Sequence, residues 1–234
     1  MFGISITQGT RTQRAQAAKN YQNADGKLDQ VLKASIHSQK AAAGGANAAT
    51  VSTTLGRIYN ATGDLVTYVT AYDWEGKMTG QYPVNIQNGQ WAIFEHVGTR
   101  GSNRQGSISA LVYNIQECCD SIIAWNNPWN RKNTAYCEMN DPGYYDDPTV
   151  RDAFLEKLKA SGTECQASFE GYATKVSIDA EGNFQCHFLS RHPQWAFHVI
   201  KNKVAAAEYS SSMCACNIYN NNKPNILTKY KMIG

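Results

Sequence analysis

Trp125 and Trp129 flank Pro128 in the run Ile122-Ile123-Ala124-Trp125-Asn126-Asn127-Pro128-Trp129, and Arg131 and Lys132 follow within three residues. An indole is apolar with a single donor, which suits it to the boundary between membrane and water. A neighbouring cation can pair with phosphate. Trp91, Tyr113 and Tyr136 could complete an aromatic pocket for a choline-like cation or a sugar face. The chemistry on offer is binding of a lipid head group or a glycan. Its candidate residues are Trp91, Tyr113, Trp125, Pro128, Trp129, Arg131, Lys132 and Tyr136. The alternative is that Trp125 and Trp129 only fill the core and pack the loop.

Other chemistries have weaker footing. Cys186, His187, His192, His198, Cys214 and Cys216 hold the residue types of a zinc site, but their spacing fits no usual zinc frame. His96 alternates with Phe94 and Ala92 and reads as a half-buried strand histidine. No Gly-x-Ser-x-Gly or His-Glu-x-x-His occurs. The carboxylates Asp73, Glu75, Glu95, Glu117, Asp120 and Glu138 are scattered, and any glycosidase-like pair among them would be spatial. Neither a cofactor nor a metal is expected, and a non-enzymatic protein is.

The elements that must hold the aromatic, basic loop are strands. Across 84–139, short runs rich in Val, Ile, Tyr, Phe and Trp alternate with turn clusters such as Asn88-Gly89 and Asn126-Asn127-Pro128. That is the pattern of consecutive antiparallel strands. The strands are predicted at 55–59, 65–72, 90–97, 107–115, 121–125, 134–139, 165–169, 172–178 and 184–189, with less regular ones at 195–200 and 213–219. A loop at 98–106 carries Arg100 and Arg104.

Two helices are predicted at the periphery. One spans 27–43, where Leu28, Val31, Leu32 and Ile36 recur at helical spacing. It is amphipathic and basic, so it either packs on the sandwich or meets a membrane surface or partner. The other spans 148–160, with Asp147 as N-cap and Pro148 at the first helical position. Residues 1–24 read as a disordered or loose arm. The division is a polar arm and helix over 1–50, a β domain over 51–219, and a tail over 220–234.

The net charge of +3 is too small to argue for nucleic acid. Residues 1–50 hold six Lys/Arg and two Asp/Glu, a net of +4, which leaves −1 for the rest of the chain. The body therefore carries no polyanion-binding excess. No secretory signal or apolar run of about 20 residues is visible, so the expectation is a cytoplasmic protein. The seven cysteines are then mostly reduced. The Asn60-Ala61-Thr62 sequon is idle on that reading. Cys118-Cys119 and Cys214-Ala215-Cys216 are redox or metal features, or buried structural cysteines.

Three runs resemble the small jasmonate-induced proteins of plants, the 23 kDa type. They are Tyr59 to Trp74, Tyr82 to Val97, and Ile122 to Glu138 with its Trp-x-x-Pro-Trp. The same layout is more distantly similar to aegerolysins, nakanori-type proteins and actinoporins. The resemblance implies an antiparallel β-sandwich and recognition of membrane lipids, notably sphingolipid head groups. The aegerolysin stretch maps onto Trp125, Pro128, Trp129 and Lys132. It also implies a stress- or defence-induced role at the periphery of membranes. The competing reading is a self-assembling interaction protein, a homo-oligomer whose sandwich edges or N-terminal helix pack against copies of itself.

Overall fold

Strand alternation sends every second side chain to one side, and along the central strands of this chain both sides find cover. The structure, a computed structural model, describes residues 1–23, 51–99 and 106–191, with Gly26, Gln30 and Lys33. Most of the predicted helix over 27–43, Arg100 and Arg104, the strands at 195–200 and 213–219 and the tail lie outside the described residues.

The strands are β1 (Thr53–Ala61), β2 (Val66–Glu75), β3 (Lys77–Met78), β4 (Asn85–Ile86), β5 (Trp91–Val97), β6 (Ser107–Ile115), β7 (Cys119–Asn127), β8 (Thr134–Asn140), β9 (Glu164–Phe169), β10 (Tyr172–Ile178) and β11 (Asn183–Ser190). The helices are α1 (Arg11–Asn20) and α2 (Pro148–Ala160), with a 3-10 turn at Tyr144–Asp146.

The strands form a sandwich of two sheets. The first runs β3-β5-β1-β11-β10-β9 and the second β4-β2-β6-β7-β8. Neighbours are antiparallel except β1 and β11, which pair in parallel with Leu55 opposite Asn183. Ile58, Phe94, Val176, Phe184 and Phe188 of the first sheet meet Leu111, Tyr113, Ile123, Trp125 and Cys137 of the second. The outer face of the second sheet, with Ile108, Val112 and Ile122, takes Phe154 and Leu158 of α2. β6 and β7 are thus covered on both sides, which is why they read as nearly unbroken apolar runs.

α2 forms where its caps predict. The Asp147 carboxylate accepts from the Thr149 amide at 2.8 Å, Pro148 stands in the first turn, and Ser161 ends the helix.

The N-terminal residues differ from the expectation of a loose arm. Thr10 and Gln13 make a reciprocal capping box at the start of α1. Ala15 and Ala18 are its buried positions. The helix has no wide apolar stripe, so periodicity misses it. Alanine at the contact lets its backbone approach the sheet, where polar groups fix it. The Tyr59 hydroxyl donates to Ala18 O at 2.6 Å, and the Trp91 indole donates to Gln22 O at 3.1 Å. Arg14 donates to Gly63 O at 2.6 Å and to Asp64 at 3.0 Å. Phe2 and Trp91 exchange two backbone hydrogen bonds.

His187 lies on the same outer face, beside the Tyr59 and Trp91 rings and 3.5 Å from Gln22 Nε2. Burial pulls its imidazole from 6.5 down to about 4. Between those values the unfolded chain binds a proton that the folded chain excludes. Stability is therefore full above about pH 6.5 and falls as pH drops toward 4. The expected loss is roughly 3 kcal/mol, at about 1.4 kcal/mol per unit. Urea midpoints across this range check it, and His187→Gln should flatten the slope.

Candidate functional site

β7 and β8 are joined by the loop 128–133, whose ends are tied down. Asn127 Nδ2 donates to Thr53 O at 3.0 Å and to Thr54 Oγ1 at 3.3 Å. Asn133 Nδ2 donates to Asp179 O at 2.8 Å. Gly182 has φ +85, and a Cβ there would lie 2.4 Å from Asn127 Nδ2 and 2.6 Å from Thr53 O. Only glycine lets the β10–β11 turn come this close. At the tip, Asn130 takes a left-handed conformation with φ 67 and turns the chain back. Arg131 and Lys132 are exposed beyond it, and Pro128 and Trp129 are half-buried before it.

Between this loop and the β10–β11 turn lies an open cleft of about 190 Å³, lined by Arg131, Lys132, Asn133, Thr163, Asp179 and Ala180. That is smaller than a typical drug-sized pocket and suits a head group or a single sugar ring. Asp179 is a fixed part of the rim. Its Oδ1 accepts from the amides of Glu181 and Asn183 at 3.0 and 2.8 Å, and its Oδ2 from the Asn183 side chain at 2.7 Å. Two exposed cations stand on one lip, and the β10–β11 turn with Asp179 forms the other. The arrangement can hold an anionic or zwitterionic group, with no nucleophile or general base implied.

The family model of Nakanori-like proteins matches residues 6–192. The chain belongs to the Nakanori-like family. It is 35% identical over 130 residues to a 23 kDa jasmonate-induced protein of Hordeum vulgare, covering 52% of this chain and 60% of that relative. The chain therefore spans less than two thirds of the curated relative it matches. The crystal structure of the lipid binding protein Nakanori superposes with a TM-score of 0.69 at 23% identity, over 81% of this chain and 99% of that one. The resemblance to jasmonate-induced and nakanori-type proteins is borne out, and so is the β-sandwich.

Within this Nakanori-like sandwich the eight candidate residues do not assemble. Trp125, Tyr113 and Trp91 are all fully buried, on two different surfaces. Trp125 sits between the sheets, its indole donating to Ser107 Oγ at 3.1 Å and its ring 5.0 Å from Phe94. Tyr113 is also in that core and donates to Pro83 O at 3.0 Å. Trp91 is on the outer face of the first sheet, under the N-terminal segment. Tyr136 is on the outer face of the second sheet, its ring 5.2 Å from Phe154 and its hydroxyl donating to Glu138. These four are corrections: alternation and layering send them away from the loop, and among the described residues no aromatic pocket forms around it. Pro128, Trp129, Arg131 and Lys132 share the loop, and of them Arg131 and Lys132 line the cleft. Asn133, Thr163, Asp179 and Ala180 were missed, because cross-layer neighbours leave no local signal.

Three further groupings resolve in the Nakanori-like chain. Cys186 and His187 are consecutive on β11, so Cys186 joins the core while His187 faces outward. They cannot share an ion; His192, His198, Cys214 and Cys216 lie outside the described residues. Ser107, His96 and Asp73 do line up, with Ser107 Oγ 2.8 Å from His96 Nδ1 and His96 Nε2 3.2 Å from Asp73 Oδ1. Ser107 and His96 are fully buried, however, and only Asp73 reaches solvent. A nucleophile would stand at the sealed end, where Ser107 donates to Thr54 Oγ1 at 2.7 Å. The string ties the sheets together, and its bond from His96 holds the Asp73 carboxyl below its usual range.

Asn60 of the sequon is also buried, its amide donating to Asp64 O and Ile86 O at 2.8 and 2.7 Å. The folded chain offers no glycan acceptor at this position. Among the described residues no helix is long and apolar enough to cross a membrane.

Proposed function

We propose that this protein is a non-enzymatic, stress- or defence-induced protein that docks peripherally on membranes by seating a lipid head group in the β7–β8 cleft. One observation carries the reading: two exposed cations stand over a head-group-sized cleft beside a half-buried indole. Arg131 and Lys132 take the phosphate, Asp179 faces the opposite charge of a zwitterion, and Trp129 enters the interfacial layer. The names of the relatives, lipid binding for one and jasmonate induction for the other, point the same way.

A glycan is the second occupant the cleft would fit, through Asn133, Thr163 and Asp179. Liposome sedimentation beside a glycan panel separates the two. For the lipid reading, neutral and anionic vesicles sediment the protein, and Trp129→Ala and Lys132→Ala each weaken this about tenfold, the worth of one such contact. Vesicle binding unchanged in both variants removes the cleft from the function. Glycan binding without vesicle binding assigns it to sugars.

A further inference from the structure

The cleft makes no use of two thiols at the seam where the sheets close. β8 ends the second sheet, β9 ends the first, and the two strands run against each other. Cys137 of β8 is buried in the core, and Cys165 of β9 is half-buried against it. The Cys165 thiol donates to Cys137 O at 3.3 Å, which sets its sulfur against the residue that carries the second thiol. Cys137 also reaches Thr174 O at 3.6 Å.

The pair is asymmetric. The interaction with Cys137 lowers the Cys165 thiol to about 6, against burial and the charge of Glu138, which oppose it. The same interaction, with burial, raises Cys137. The accessible sulfur is thus the one that ionises more readily, and the thiolate is the reactive form; its neighbour supplies the second thiol. Cys186 is sealed in the core.

We propose that Cys165 and Cys137 form a peroxide-reactive dithiol that closes to a disulfide across the seam between the sheets. The Cys165 thiolate attacks one oxygen of a hydroperoxide. The S–O bond forms, the O–O bond breaks, and the departing oxygen takes a proton and leaves as water or alcohol. Cys137 then attacks the sulfenic sulfur. The S–S bond forms, the S–O bond breaks, and hydroxide leaves with the Cys137 proton as water. Two thiols lose two electrons and the hydroperoxide gains them. Closure brings the sulfurs to about 2.05 Å. β9 can yield because it is an edge strand, hydrogen-bonded along its length to β10.

The test uses the full chain with hydrogen peroxide, followed by thiol blocking, digestion and mass spectrometry without reductant. The expected product is a linked peptide pair joining Cys137 to Cys165, two hydrogens lighter and restored by dithiothreitol. Before oxidation, iodoacetamide labels Cys165 at least tenfold faster than Cys137 or Cys186. In Cys137→Ser the reaction stalls, and dimedone traps the sulfenic acid at Cys165. Cys165 linked to any other cysteine, including one of a second chain, overturns the proposal. So does a dimedone-negative Cys165 in that variant, or both thiols surviving peroxide. The readout is independent of vesicle binding, so it stands apart from the head-group reading.

Discussion

Trp125→Ala should lose a large share of the sandwich's stability, so that any binding defect it shows follows from the weakened fold. The ring is fully buried between the layers, 5.0 Å from Phe94, 5.3 Å from Phe184 and 5.5 Å from His96. Truncating a core tryptophan costs about 3–5 kcal/mol through lost transfer and an unfilled cavity. A domain has about 5–15 kcal/mol in all. Ser107 keeps Thr54 and His96 as partners, so the loss is packing and not an orphaned hydroxyl. Urea denaturation should show the midpoint falling sharply, while Trp129→Ala stays close to the parent. A parent-like midpoint for Trp125→Ala, with vesicle binding gone, would return that indole to the binding surface.

Reversing both loop cations, Arg131→Glu with Lys132→Glu, should leave the fold intact and remove vesicle binding. Both side chains are exposed on an anchored loop, and exposed substitutions of this kind usually change stability little. Each charged contact to phosphate is worth about tenfold or more in affinity, so the pair loses on the order of a hundredfold. Repulsion from an anionic surface adds to the loss. Parent protein should bind anionic vesicles less well as salt rises, because exposed charges are screened. Unchanged sedimentation by the double variant, with an unchanged melting curve, would rule out the cleft.

Much of this architecture was legible because turns and alternation are local. The β1–β2 turn at Gly63, the Asp147-Pro148 start of α2 and the bounds of β6 and β10 all follow from residues a few positions apart. Tryptophan placement was less legible. Trp125 alternates with Ile123, but Ile122 and Ala124 on the other face of β7 are equally apolar, since α2 covers them. The pattern therefore cannot say which layer receives the ring. Trp129 lies past the last strand residue, beyond the reach of alternation. α1 went unseen because alanines dock it and hydrogen bonds hold it. The cleft needed Asp179 beside Asn133, a neighbourhood that only the closed sandwich creates.

The parallel pairing of Leu55 with Asn183 governs how this chain can assemble as it leaves the ribosome. β6, β7 and β8 are successive hairpin partners and can zip up while synthesis continues. One side of β1 stays unpaired until β11 has emerged, most of the molecule later. Pairings between such distant segments slow folding, and an open edge invites association with other nascent chains. Truncations that remove β11 should therefore accumulate as aggregates, even though every earlier strand is present.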